Sequence, residues 1–224
     1  MPQSHPPRWY RQIASRMLYL LPLKAVGTAA FMMLFFWGYF SVLRHPIFPV
    51  TVMPLTPLDH WIPVTSLAFP VYASLWVYAS LPAALFKEFR TLILFGAWMA
   101  AMCVFCLAIF WLLPTGVPSA GIDWSLYPAM AIIKDADPGG NACPSLHVAS
   151  AVFAAFWLDR LILSINAPRV WRWLNCLQCL AILWSTVATR QHVVLDVLAG
   201  AAVGVAFGVP ALRQAVRRAT QQEI

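Results

Sequence analysis

The chain has 224 residues, of which 61% are hydrophobic and only 10% are charged, with a net charge of +7. Soluble domains carry roughly 25% charged residues, so this composition excludes a disordered chain and almost any ordinary soluble enzyme. It also argues against a nucleic-acid-binding module, because the basic residues flank apolar segments instead of forming a patch. The sequence therefore predicts an integral membrane protein.

Six apolar segments are long enough to cross a bilayer, which requires about 20 residues in a helix. Their bounds are Ala25–Leu43, Trp61–Phe86, Thr91–Pro114, Leu146–Ile165, Trp173–Thr189 and Val193–Leu212. We expect an all-α fold in which six transmembrane helices form a single bundle. The chain then consists of an N-terminal segment (1–24), a membrane domain (25–212) and a C-terminal tail (213–224).

Lys and Arg residues are distributed unevenly between the two sides of these spans. Twelve lie on the side that holds both termini, whereas Arg44, Lys134 and Arg190 lie on the other side. Because cytoplasmic loops carry the excess of Lys and Arg, we expect both termini in the cytoplasm, with a bacterial inner membrane as the location. The long loop 115–145 then faces the periplasm or the cell exterior, and its stretch Trp124–Lys134 is expected to form a short interfacial helix.

Two polar clusters begin the fourth and sixth spans, on the outer side. In the first, Ser145 suits the N-cap of a helix and His147 lies in the first turn. In the second, His192 and Asp196 are four residues apart and are expected to share one helix face. An ionisable group inside a span is costly, which makes Asp196 a functional candidate.

The chemistry of these clusters suits phosphoryl transfer. Helix N-termini bind anions, phosphate especially, and one histidine can attack phosphorus while the other protonates the leaving oxygen. Asp196 can accept the second ring N–H of His192 and fix its tautomer. The alternative is a zinc site that adds Cys143 to these three side chains, although their spacing does not form a compact zinc motif.

The same clusters resemble two signatures of the type-2 phosphatidic acid phosphatase superfamily. Pro144-Ser-Leu-His147 is similar to the second signature, Pro-Ser-Gly-His, and His192-Val-Val-Leu-Asp196 is similar to the third, His-x-x-x-Asp. With the segment Pro54–Pro63, they most resemble the branch that includes inositol phosphorylceramide synthase-like proteins. The resemblance covers most of residues 50–205.

This resemblance implies a mechanism without metal or cofactor. His192 is then the nucleophile that forms a phosphohistidine, Asp196 orients it, and His147 is the general acid for the leaving group. The first signature, Lys-x6-Arg-Pro, is absent after the third span, and Ser185-Thr186 replaces the Arg expected before His192. The expected phosphate-binding residues are Ser145, Arg190, Asn141 and Lys134.

The expected function is a lipid phosphatase that hydrolyses a phosphomonoester or pyrophosphate of a lipid on the outer side. A lipid head-group phosphotransferase is the alternative, because one covalent intermediate serves both reactions. A non-enzymatic lipid-binding or transport protein with the same fold is a third possibility. Gly200, Gly204 and Gly208 allow close helix approach, so we expect them against another helix of the bundle, with a homo-oligomer as the alternative use.

Overall fold

The computed structural model describes residues 9–137 and 139–221, so parts of both predicted terminal segments lie outside the described residues. The described residues are overwhelmingly helical. In chain order the elements are α1 (Trp9–Leu18), α2 (Leu21–Arg44), β1 (Thr51–Val52), α3 (Pro57–Trp61), α4 (Ala68–Leu85), α5 (Phe89–Leu112), β2 (Thr115–Gly116), a 3₁₀ helix (Trp124–Leu126), α6 (Pro128–Ala136), α7 (Leu146–Ser164), α8 (Val170–Ala188) and α9 (Val194–Gln221).

Within this part of the chain, five helices have both the length and the apolar composition of membrane spans: α2, α4, α5, α7 and α9. The prediction of an all-α membrane protein is confirmed. Helix α8 has 19 residues, but Arg172, Asn175 and Gln178 make it more polar than the other five. Its role as a sixth span stays a prediction.

Several predicted segments differ from the observed helices in their bounds, and α9 continues to Gln221, well beyond the predicted end at Leu212. The second span begins at Ala68 rather than at Trp61, which instead ends α3. Pro63 explains this difference, because a proline disfavours helical backbone in the residue before it. In the long loop, the stretch predicted as one short helix forms the 3₁₀ helix and then α6. The location of α6 at the membrane interface stays a prediction.

Helix α7 lies at the centre of the bundle and packs against α4, α8 and α9. Its contact with α9 depends on glycine. A Cβ atom at Gly200 would lie 2.3 Å from the carbonyl oxygen of Ser145, and one at Gly204 would lie 2.7 Å from that of Ala149. The two backbones therefore touch, and the predicted packing of this glycine face within the bundle is confirmed.

The loops beside the N-terminus of α7 are joined by a few strand-like hydrogen bonds. Strands β1 and β2 pair in parallel, with Thr51 opposite Thr115. Gly116 forms an antiparallel bridge with Gly140, just before α7 begins. These bonds link the connections that follow α2 and α5 to the segment that leads into α7.

Candidate active site

The N-terminus of α7 is built as its sequence predicts. Ser145 is the N-cap, and its hydroxyl oxygen accepts a hydrogen bond from the backbone N–H of Val148 at 3.3 Å. The Ser145 N–H in turn donates to the carbonyl oxygen of Asp196 at 3.0 Å. Because Gly200 permits close contact at this point, the beginnings of α7 and α9 lie side by side.

This arrangement brings His147 and His192 together, although they are far apart in sequence. Nε2 of His192 lies 3.3 Å from Nδ1 of His147, which is hydrogen-bond range. Nδ1 of His192 lies 3.6 Å from Oδ2 of Asp196, slightly too long for a hydrogen bond. The three predicted catalytic side chains thus form one contiguous series, in the order His147, His192, Asp196.

The proximity of His192 and Asp196 does not arise from a shared helix face, as the spacing predicted. Helix α9 begins only at Val194, so His192 lies in the preceding turn. That turn is closed by Asp196, whose Oδ2 accepts a hydrogen bond from the backbone N–H of Val193 at 3.0 Å. His192 is 4% exposed and Asp196 is fully buried, so the pair is shielded from solvent.

Tyr72 is a site residue that sequence reasoning missed. Its phenol oxygen lies 2.7 Å from Nε2 of His147, and its side chain is buried. Tyr72 comes from α4, an apolar helix with three tyrosines or tryptophans of similar appearance. No sequence signal distinguishes it, because only the packing of α4 against α7 places it beside the histidine.

Asp59 is a second residue that was not assigned to the site. Its carboxylate closes a capping box with Thr56 at the start of α3, and its Oδ1 accepts a hydrogen bond from the N–H of Val194 at 2.9 Å. The Thr-x-x-Asp pattern is a recognisable helix start, whereas the bond to α9 is visible only in three dimensions. Asp59 therefore joins the α3 segment to the first turn of α9.

Arg190 lies in the turn before His192, but its guanidinium group is engaged by the backbone. Its two terminal nitrogens donate to the carbonyl oxygens of Asp59 at 2.9 Å and Ile62 at 3.0 Å. This arrangement fixes the turn that carries His192. A role for Arg190 in binding phosphate stays a prediction, since at least one of these guanidinium nitrogens would have to bind phosphate as well as its carbonyl oxygen.

Lys134 and Asn141, which were also predicted to bind phosphate, each have a partner in the protein. Nζ of Lys134 donates to the carbonyl oxygen of Arg190 at 2.6 Å, and burial lowers the pKa of Lys134 to about 8. Nδ2 of Asn141 donates to the carbonyl oxygen of Tyr39 at 3.2 Å. Lys134 thus adds positive charge beside the His192 turn, while Asn141 links α2 to the segment before α7.

The zinc alternative has no supporting geometry in the part of the chain that the structure describes. Across residues 9–137 and 139–221, no three His, Cys, Asp or Glu side chains are placed to hold a metal ion. Burial and the nearby carboxylate of Asp196 raise the pKa of the Cys143 thiol.

A large apolar cavity extends from His147 along the bundle. It has a volume of about 860 Å³ and is walled by α2, α4, α5 and α7. His147, Ser150 and Asp137 lie at one end, and Lys24 lies near the other. Almost all the remaining lining residues are apolar, which suits a hydrocarbon chain and excludes a hydrated, purely polar ligand.

Comparison with known families supports an enzyme that acts on phosphate esters. The family model of the PAP2 superfamily matches residues 58–209, about two thirds of the chain, including both histidines and Asp196. Searches of curated proteins and of solved structures each found no match. The PAP2 match indicates a phosphatase-type enzyme that cleaves or transfers phosphate esters. The chain belongs to the PAP2 superfamily, the type-2 phosphatidic acid phosphatases.

Proposed function

We propose that this protein is a lipid phosphatase that hydrolyses a phosphomonoester or pyrophosphate of a membrane lipid through a phosphohistidine. The observation that carries this proposal is the contact between His192 and His147, which itself lines one end of an apolar cavity of about 860 Å³. A phosphate at the histidines would have its hydrocarbon part in that cavity, among side chains of α2, α4 and α5.

In the proposed reaction, Nε2 of His192 attacks phosphorus and the bond to the leaving oxygen breaks. His147, which enters this step as the imidazolium, gives a proton to that oxygen and becomes neutral, so the alcohol or the phosphate leaves protonated. Water then attacks the phosphohistidine, the N–P bond breaks, and His147 takes the proton from the water. Asp196 stabilises the positive charge that His192 carries during both steps.

We also propose that α8 is the sixth span and that the histidines open on the extracytoplasmic side. Support for the span comes from its 19 residues and its packing between α4 and α7. Support for the orientation comes from the twelve Lys and Arg residues on the side of the termini, against three on the side of the histidines.

The test uses purified full-length protein in detergent micelles with phosphatidic acid, a polyprenyl pyrophosphate and a water-soluble aryl phosphate. We expect phosphate release that persists in EDTA, because both catalytic tasks fall to histidine. His192→Ala should abolish turnover and the acid-labile phosphoenzyme, while His45→Ala, an exposed histidine at the same end, should keep both. Loss of activity in EDTA that zinc restores would contradict this mechanism.

His147→Ala separates the two histidine roles. General-acid catalysis is typically worth about 10²–10⁴-fold, and it matters less when the leaving oxygen is already stable as an anion. This variant should therefore lose more activity on phosphatidic acid than on the aryl phosphate. Adding a hydroxyl acceptor tests the transferase alternative, because transfer would then exceed release of free phosphate.

A further inference from the structure

A second cavity lies at the end of the bundle opposite the two histidines. It has a volume of about 550 Å³ and forms where α1, α5, α7 and α9 meet the connection between α4 and α5. On α7, its lining residue Arg160 lies about 20 Å from His147 along the helix axis. Its apolar lining includes the buried side chains of Phe86, Leu94 and Trp157.

The polar lining of this cavity carries a strong excess of positive charge. It contains one carboxylate, Glu88, and five cationic side chains: Arg16, Lys87, Arg90, Arg160 and Arg218. A concave site lined by one sign of charge concentrates its field on the space it encloses. Mutual repulsion among these cations disfavours the empty cavity, and an anion inside it would relieve that repulsion.

Three of these cations are exposed and have no polar partner within the described part of the chain. Arg90, Arg160 and Arg218 form no hydrogen bond or ion pair with any residue of the ranges 9–137 and 139–221. Arg172, at the same end of the bundle, differs because it binds both carboxylate oxygens of Asp159, at 2.6 and 3.1 Å. The general excess of Lys and Arg on the cytoplasmic side explains how many cations lie at this end of the bundle. It does not explain why three arginines without a partner in the described residues surround one cavity.

Trp157 provides an independent observation at the same place. Its ring lines the cavity and is 2% exposed, yet its indole N–H has no hydrogen-bond partner in the described part of the chain. A buried donor without an acceptor is unfavourable, and indole offers only a donor. A ligand rich in acceptor oxygens would satisfy it once the side chains around the ring shift, because the nitrogen has less than 1 Å² of exposed surface.

We propose that this cavity binds the phosphate-bearing headgroup of an anionic membrane lipid. Phosphate oxygens match the planar donors of arginine, and the apolar lining suits the part of the lipid below its headgroup. Basic pockets at the cytoplasmic ends of transmembrane helices are suited to anionic headgroups, and this end carries the termini. A bound headgroup would connect α1, α5, α7 and α9, and would stabilise the bundle.

The test measures thermal unfolding of the full-length protein in detergent micelles with phosphatidylglycerol, phosphatidylcholine or inorganic phosphate. We expect phosphatidylglycerol to raise the unfolding midpoint and phosphatidylcholine to leave it unchanged. Replacing both Arg90 and Arg160 by Gln should weaken the affinity for phosphatidylglycerol about 30-fold, at about fivefold for each cation near an anionic surface. Trp157→Phe, which keeps a ring but loses the donor, should weaken it about fivefold.

The control is Arg172→Gln, which removes a cation at the same end but outside the cavity and should keep native affinity. Equal affinity in the native and doubly substituted proteins, or an equal loss in the control, would overturn the site. If inorganic phosphate alone stabilised the native protein but not the double variant, the proposal of a lipid ligand would be wrong and the ligand would be free phosphate. Repeating each titration with His192→Ala should change nothing, which separates this site from the proposed function.

Discussion

The phenol oxygen of Tyr72 lies 2.7 Å from Nε2 of His147, while Nδ1 of the same ring faces His192. The phenol of Tyr72 has no other hydrogen-bond partner in the ranges the structure describes, so it donates to Nε2 when His147 is neutral and accepts from the Nε2–H when His147 is the imidazolium. The proton of a neutral His147 is thereby assigned to Nδ1. This is the nitrogen that faces Nε2 of His192.

Tyr72→Phe should lower kcat about fivefold, the value of one ordinary hydrogen bond, because His147 would then populate both tautomers. KM should change little, since the phenol contacts His147 rather than the hydrocarbon part of a substrate. The measurement is a pH–rate profile of both proteins, in which the limb that belongs to His147 should shift. In a His147→Ala background the same substitution should have no further effect, and an additive loss would refute a role through His147.

Asp196→Asn tests the carboxylate beside His192 without removing its structural bond. The amide oxygen of asparagine can still accept the N–H of Val193, so the turn should form and the unfolding temperature should stay close to native. Activity should nevertheless fall by about 10²-fold or more, because the neutral amide cannot stabilise an imidazolium and can favour the wrong tautomer. Asp196→Ala should lose both activity and thermal stability. An Asn variant with native turnover would show that the 3.6 Å contact has no catalytic role.

Lys134 gives a pH dependence with a defined sign. Burial lowers its pKa to about 8 from the ordinary 10.5, so the unfolded chain binds more protons between these values. The free energy of unfolding should therefore rise with pH across this window. Phosphate affinity should move the opposite way if Lys134 supports the substrate, because its charge is lost as pH rises through about 8.

Lys134→Arg checks this prediction, since arginine keeps its charge throughout the range. The inhibition constant of inorganic phosphate should rise above pH 8 in the native protein and stay flat in the variant. The exposed Lys87 lies at the opposite end of the bundle, and Lys87→Arg is the matched control. A native-like rise in the Lys134→Arg protein would assign the pH dependence to another group.

Gly204→Ala tests the packing that aligns the two histidine-bearing segments. The added methyl would lie 2.7 Å from the carbonyl oxygen of Ala149 and 2.7 Å from Cβ of Val152, and neither atom is the end of a flexible chain. We expect a loss of about 1–3 kcal/mol in stability, together with reduced turnover. Gly96→Ala in α5 is the control, because open space surrounds that position and alanine favours helix. A neutral Gly204→Ala would mean that α7 and α9 separate easily.

The start of α7 could be predicted from the sequence because local rules govern it. Pro144 and Ser145 specify a helix entrance, and the observed helix begins at Leu146. The glycine face of α9 was equally predictable, since its spacing carries the packing information. The start of α4 was predicted wrongly by hydropathy alone, because an apolar run continues through Pro63, where the backbone leaves the helix.

The environment of the histidines was less predictable, because it depends on contacts between distant segments. Nothing in an apolar helix distinguishes Tyr72, and the hydrogen bonds from Arg190 to Asp59 and Ile62 join residues more than a hundred positions apart. A basic residue near a phosphate site is readily read as a phosphate ligand. In the folded chain, the guanidinium group of Arg190 instead fixes the turn that carries His192.

The contact between His147 and His192 has a consequence for the empty enzyme. The nitrogen that would attack phosphorus is 3.3 Å from Nδ1 of His147, so when that Nδ1 carries a proton, the lone pair of the attacking nitrogen accepts it until a phosphoryl group separates the rings. That separation costs about 1 kcal/mol, the worth of one such bond, and the cost is the same for every substrate. In the resting enzyme Nε2 of His192 is therefore unavailable to other electrophiles. It becomes available only when a bound ligand separates the two rings.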